Sequence, residues 1–240
     1  MKFEDIIKKI SAVLAGIVVY FFVAGIYLNS KGFEYNESTG DFVIRQAQAA
    51  EDVSAIHSVP MNFAFPQDHA LGNHAAPVTL YEYSSFGCSH CADFHLEVLP
   101  KLIKKYVNDG KLRIVFVPLP LDKNSMNAAL LAECVAPDKY FSFAEVLFKK
   151  QRDWSIAFHP EKVLMQYAAL SGVSNEKATA CLRDDITAAR ILKDRETGLK
   201  ELKISGTPSF VVSSRKSNDM VYGYRDFDFF DSLVSEHLEY

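Results

Sequence analysis

An α/β fold is predicted, with two strand-bearing units, an all-helical block inserted between them and an apolar segment ahead of both. Three features of the sequence predict it. β-Branched and aromatic runs bracket one amphipathic helix near residue 100 and recur near residue 210 ahead of a last helix. Between them, residues 122–203 hold no convincing strand. Far upstream, Ile10 to Leu28 pass 19 residues without a charge.

At about 1.5 Å per residue, that apolar run nearly crosses a hydrocarbon core of about 30 Å. Lys2, Lys8 and Lys9 precede it and only Lys31 follows closely. Residues 1–28 are therefore expected to be a cytoplasmic tail and a transmembrane signal-anchor, with the bulk of the chain on the far side. "AQAAED" (47–52) has the small-residue pattern of a cleavage site, but it stands about twenty residues beyond the run. A retained anchor is favoured, with cleavage near Ala49 as the alternative.

Residues 29–64 are polar, lack a sustained period and read as a tether; part of "VPMNFAFPQDH" (59–69) is expected to add an edge strand, where proline is tolerated. The main domain then covers 65–240. "APVTLYEYSS" (76–85) is its first long strand. In 91–110 a helical stripe follows, formed by Phe94, Leu96, Val98, Leu99, Leu102, Ile103 and Tyr106 and stopped by Gly110, with Pro100 expected to kink it. "KLRIVFVPLPL" (111–121) is a strand ended by its prolines. Helices are expected at about 123–136, 138–153, 160–171, 175–184 and 185–202, with Pro160 and Ser174 opening two of them. "GTPSFVVSS" (206–214) and "MVYGYRDF" (220–227) read as a hairpin, and residues 228–240 close as a helix. A βαβ unit and a ββα unit separated by helices make a thioredoxin-type architecture. With 49% hydrophobic residues and a net charge of −4, the composition is ordinary and argues for no nucleic-acid partner.

The chemistry concentrates in "SSFGCSHCADFH" (84–95). The strand-to-helix junction falls at Gly87-Cys88, which places Cys88 at a helix start. Free N–H groups and the positive end of the dipole there favour a thiolate, the reactive form of cysteine. Cys91, three residues on, is within reach for a disulfide, and a protonated His90 can stabilise the thiolate further. Each effect stabilises the reduced pair and makes its disulfide a stronger oxidant. A zinc site needs about four ligands, whereas Cys134 and Cys181 stand alone and far off, so no metal is expected. A purely structural disulfide and a chance spacing both compete with the redox reading.

"HALGNHAAPVTLYEYSSFGCSHCADFH" (69–95), together with "SGTPSFVV" (205–212), resembles the DsbA-like periplasmic thiol:disulfide oxidoreductases, in the branch with a second disulfide. The resemblance covers roughly 65–235. It implies a thioredoxin-like fold with an inserted all-helical domain, preceded here by the transmembrane helix. Cys88 matches the nucleophile that forms the mixed disulfide and Cys91 the buried resolving cysteine. Pro208 matches the cis-proline beside them, and Thr207 the residue whose backbone binds an extended substrate. Glu82 matches the family's buried acid, able to take the proton of Cys91; an edge-exposed strand glutamate is its alternative. Cys134 and Cys181 match the second disulfide, and leftover cysteines in an oxidising compartment tend to pair.

Two positions depart from the pattern. Ser89 stands where many strong oxidants have proline. His95 stands where glutamate is frequent, and it reads as a surface or partly packed helix residue. The resemblance further implies reduced, unfolded secreted or envelope proteins as substrates and a quinone-linked membrane reoxidase, with no cofactor. The location implied is the bacterial inner membrane, with the catalytic domain in the periplasm. A reductase or isomerase of the same fold is the alternative, and a metal-binding CxxC module a more distant one.

Overall fold

A computed structural model describes residues 33–36, 41–44, 57–66 and 69–239. The membrane segment expected at 10–28 and the cleavage site near Ala49 lie outside these residues. Among the described residues, no helix is long and apolar enough to cross a membrane. The chain divides into two units, residues 1–55 and 56–240.

The first unit holds an antiparallel hairpin of β1 (Phe33–Asn36) and β2 (Asp41–Ile44), with Phe33 opposite Ile44. It falls inside the stretch that reads as a tether without a period. Its strands are short, four residues each, and the alternation of Phe33 and Tyr35 with Glu34 and Asn36 is too brief to stand out as a pattern.

The second unit is built on a six-stranded sheet of order β3-β8-β7-β5-β6-β4. Its central strand, β5 (Val78–Ser84), runs parallel to β6 (Leu112–Pro118) and antiparallel to β7 (Ser209–Ser213). β8 (Asn218–Tyr222) completes the hairpin with β7. The edges are β3 (His57–Ser58) on β8 and β4 (His69–Leu71) on β6. The edge strand expected within 59–69 is displaced: pairing occurs just before that segment, at 57–58, and from its last residue onward, at 69–71. Pro60 and Pro66 lack the N–H a ladder needs, so pairing is left to the residues beside them.

Helical structure after the cysteine motif runs from α1 (Ser89–Asp93) through a π turn (Phe94–Val98) into α2 (Leu99–Leu102), then a second π turn (Ile103–Val107). The irregularity expected of Pro100 takes the form of widened turns on both sides of α2. Without an N–H, the proline cannot close an α-type bond to the turn before it. The insertion comprises α3 (Lys123–Cys134), α4 (Tyr140–Lys149), α5 (Gln151–Ser155), α6 (Pro160–Leu170), α7 (Asn175–Cys181) and α8 (Asp185–Lys200). The helix expected over 138–153 is thus split in two. Trp154, fully buried, donates its indole N–H to the Leu147 carbonyl at 2.8 Å and satisfies the broken end. α9 (Phe227–Leu238) closes the chain behind its N-cap Asp226.

Alternation along β5 sorts the layers. Val78 and Leu80 point to one face, where Phe94, Val98, Leu102 and Phe230 cover them. Tyr81 and Tyr83 point to the other, against Leu202 and Ile204. Gly198 of α8 meets the sheet so closely that a Cβ there would stand 3.3 Å from the Tyr83 ring. A charged cluster ties β4 to the insertion: Glu133 of α3 lies 2.7 Å from His69 and 2.7 Å from Arg190 of α8. Burial works against the Glu133 charge, but His69 and Arg190 outweigh it and hold the carboxyl below its ordinary range.

Candidate active site

β5 ends at Ser84 and the chain turns through Ser85, Phe86 and Gly87 onto the helix. Gly87 packs on the start of α3, where a Cβ would meet the Asp122 carboxylate at 3.3 Å and the Ser125 Cβ at 3.4 Å. Cys88 is the N-cap of α1, with an extended backbone (φ −90, ψ 124), so its sulfur sits where the first helical N–H groups have no partner within the helix. The Cys88 thiol is half-buried and donates to the Thr207 carbonyl at 3.2 Å.

The surroundings bring the Cys88 thiol down to about 5. A hydrogen bond from the Cys91 thiol is the largest contribution and partial burial opposes it. The Thr207 hydroxyl and the main-chain N–H groups of Cys91 and His90 add to the lowering. The Thr207 hydroxyl is buried and makes no hydrogen bond among the described residues, so it can turn to the sulfur. Cys91 is the reverse: burial pushes its thiol well above the ordinary range. The hydrogen bond and charge of Cys88 push the same way, as does the charge of Glu82, while the Ser84 hydroxyl opposes them. The reduced pair at neutral pH therefore holds one proton, on Cys91.

The expected partners occupy distinct places. The Thr207-Pro208 bond is cis, and the Pro208 carbonyl accepts from the Gly223 N–H at 2.9 Å. Glu82 has no solvent exposure, so the edge-exposed alternative is not what the fold presents. His90 is exposed; its Nδ1 stands 3.4 Å from the Asp93 carboxylate, and its main-chain N–H is what acts on Cys88. Cys134 and Cys181 are away from this site and joined to each other, linking α3 to α7 with Cα atoms 6.2 Å apart.

His95, expected at the surface or partly packed, is instead fully buried, and its Nε2 lies 2.9 Å from Glu82 Oε2. The i,i+4 spacing from Cys91 sets it one turn further along the same buried helix face, and strand alternation brings Glu82 opposite. That spacing is a usable signal. Gln151 carries none: from the insertion, its side-chain amide donates to the carbonyls of Phe86 at 2.7 Å and Cys88 at 2.9 Å, clamping the turn. Tyr224, after β8, is a further neighbour, with its ring 6.4 Å from that of His90.

The thioredoxin family profile matches residues 65–223. A Rickettsia bellii protein, named for protein-disulfide oxidoreductase activity, is 31% identical over 147 residues, 61% of this chain and 57% of its own length. The chain thus spans less than two thirds of that relative. Disulfide bond formation protein D of Bacillus subtilis is 27% identical over 174 residues, 70% of this chain and 76% of its own. Among solved structures, Wolbachia pipientis alpha-DsbA1 superposes with a TM-score of 0.68 at 28% identity, over 74% of this chain and 94% of its own. Oxidised BdbD of Bacillus subtilis gives 0.64 at 26% identity, over 72% and 94%.

Proposed function

This chain belongs to the thioredoxin family, among its DsbA-like members, and we propose on that basis that it is an extracytoplasmic thiol:disulfide oxidoreductase introducing disulfides into reduced, unfolded secreted or envelope proteins. The observation that carries the reading is the opposed acidity of the two thiols, Cys88 held near 5 and Cys91 raised.

A substrate thiolate attacks Cys88 Sγ of the oxidised pair, and Cys91 departs. The second substrate thiolate then attacks the substrate sulfur of the mixed disulfide, forming the product disulfide and releasing Cys88 as a thiolate. That thiolate is a good leaving group because Cys91, Thr207 and the helix-start N–H groups stabilise it. Thr207 and Pro208 are the wall against which an extended substrate strand would lie. Glu82 is the proton acceptor for Cys91 when the pair closes again. The same stabilisation favours the reduced pair and so the oxidant direction. A quinone-linked membrane protein is the reoxidant this requires. The 19 uncharged residues from Ile10 to Leu28 support retention at the bacterial inner membrane, with the catalytic domain in the periplasm.

Equilibration with glutathione tests the direction. A reduction potential near about −120 mV is expected of an oxidant, and one near about −270 mV would make the protein a reductant and sink the proposal.

A further inference from the structure

Glu82 and His95 form a pair sealed from solvent, with 0% and 3% exposure, and the Glu82 charge acts on the buried Cys91. One carboxylate oxygen, Oε2, meets His95 Nε2 at 2.9 Å. The other, Oε1, has no hydrogen-bond partner among the described residues. An unpartnered carboxylate oxygen in a dry interior is costly unless the group carries a proton or delivers one. The imidazole is held in an aromatic cage: the Phe148 ring of α4 stands 4.3 Å from it, that of Phe116 on β6 5.5 Å and that of Phe94 6.1 Å. These rings position His95 toward Glu82 and keep water away from both.

We propose that His95 is the positioning residue for Glu82 and shares its proton, so that the pair delivers one proton to Cys91 each time the disulfide opens. The inference rests on the reading of Cys88–Cys91 as an exchanging disulfide and adds where its proton resides. In the oxidised protein the pair holds one proton between carboxylate and imidazole. A substrate thiolate forms a bond to Cys88 Sγ, the Cys88–Cys91 bond breaks, and its electron pair leaves on Cys91 as a thiolate. The proton then passes to Cys91, leaving Glu82 ionised and His95 neutral. Reoxidation reverses this: Cys91 returns its proton to the pair as its sulfur attacks Cys88, and the outgoing thiolate leaves with the reoxidant. The transfer spares the site a buried Cys91 thiolate and moves the charge to Glu82, where the His95 ring N–H can donate to the carboxylate.

The groups that could mask this titration are few. Cys91 of α1 is within reach of the Glu82 charge, and it is itself in contact with the Cys88 thiol and the Ser84 hydroxyl of β5. α4 and β6 present the Phe148 and Phe116 rings, and β7 presents Phe210 beside Glu82. Tyr140 lies behind Phe116, and the His69–Glu133 pair lies behind Tyr140.

Full-length oxidised protein in detergent, mixed with dithiothreitol from pH 4.5 to 8, provides the test. His95→Gln can still donate to Glu82 but cannot carry the proton. It should slow disulfide opening by about tenfold below neutral pH, with the ratio of parent to variant rates falling as pH rises. The Cys88 thiolate absorbance should still titrate near 5. A variant as fast as the parent, or a ratio constant with pH, would overturn the proposal. The unmutated protein supplies a second measurement that does not depend on a variant folding. The ¹⁵N shifts of the His95 ring at pH 6 should differ between oxidised and reduced protein, and identical shifts would overturn the proposal equally. The underlying reading fails separately, by parent protein that does not react with the dithiol at all.

Discussion

The two cysteine pairs lie in one fold and in opposite environments. Cys88 and Cys91 stand three residues apart at a helix start, one half-exposed and one buried, unjoined, with their thiols pushed in opposite directions. Cys134 and Cys181 are 47 residues apart, lie on two helices of the insertion and are joined. Separation along the chain gives the second pair its stabilising power, because closing a long loop removes many unfolded conformations. It gives the first pair almost none. What the first pair has instead is asymmetry of environment: donors that stabilise a charge at Cys88, and burial that forbids one at Cys91. A disulfide between unequal thiols is poised to open, and one that clasps a long loop is poised to stay.

Breaking that contrast at the reactive side should have the largest effect. Cys88→Ser is expected to cut the rate of oxidation of a reduced test protein by at least about 10³-fold, with the fold intact. Parent-like rates would remove Cys88 from the chemistry. On the other side, Cys134→Ser with Cys181→Ser should lower stability in urea by about 2–4 kcal/mol while leaving exchange rates within a few-fold. A large rate loss in that variant would mean the second pair is not merely a clasp. Gln151→Ala joins the two regions, since the Phe86 carbonyl would then lose its side-chain donor and the Cys88 carbonyl would keep only the Ala92 N–H. Unfolding in urea should show a loss of about 1–3 kcal/mol.

The pH dependence separates the pairs as well. The Cys88 pKa is lowered in the folded, reduced protein, so its stabilisation is fully present above the ordinary thiol range and disappears as pH falls through about 5. Relative to the oxidised form, reduced protein should be favoured by about 1–2 kcal/mol at pH 7, after allowing for the solvent exposure of Cys88. Below pH 5 the difference should shrink; one that persists unchanged at pH 4 would contradict it. The smallest effect is expected of Thr207→Val, which removes one hydroxyl donor and should move the thiolate titration upward by about one unit or less.

Glutamate–histidine contacts show where pattern reading succeeds and where it stops. Glu82 can be placed on the strand before the motif, but its burial follows there only from the family resemblance; packing puts it on the face shared with Val78 and Leu80. His95 reads as a surface or partly packed residue because histidine on a helix is often solvated, although its spacing from Cys91 places it on the buried face. The helical stripe is legible; its partner across the layer is not. The same holds for His69 and Glu133, 64 residues apart in the chain and 2.7 Å apart in space. Edge strands β3 and β4 are also poorly marked, since two or three residues carry no usable period. Gln151 is not visible at all, because a clamp on a carbonyl has no residue-type signature.

The order of strands and helices, the helix-start position of Cys88, the motif spacing and the Thr207-Pro208 step can all be read from the chain alone. They are local consequences of side-chain period, turn chemistry and junctions. Which groups surround the two sulfurs depends instead on how the layers pack. Thr207 comes from 119 residues away and Gln151 from 63 residues away, and Glu82 reaches His95 by packing a strand under a helix. Burial and electrostatics depend on distances through space, and the chain sets those only when its layers close.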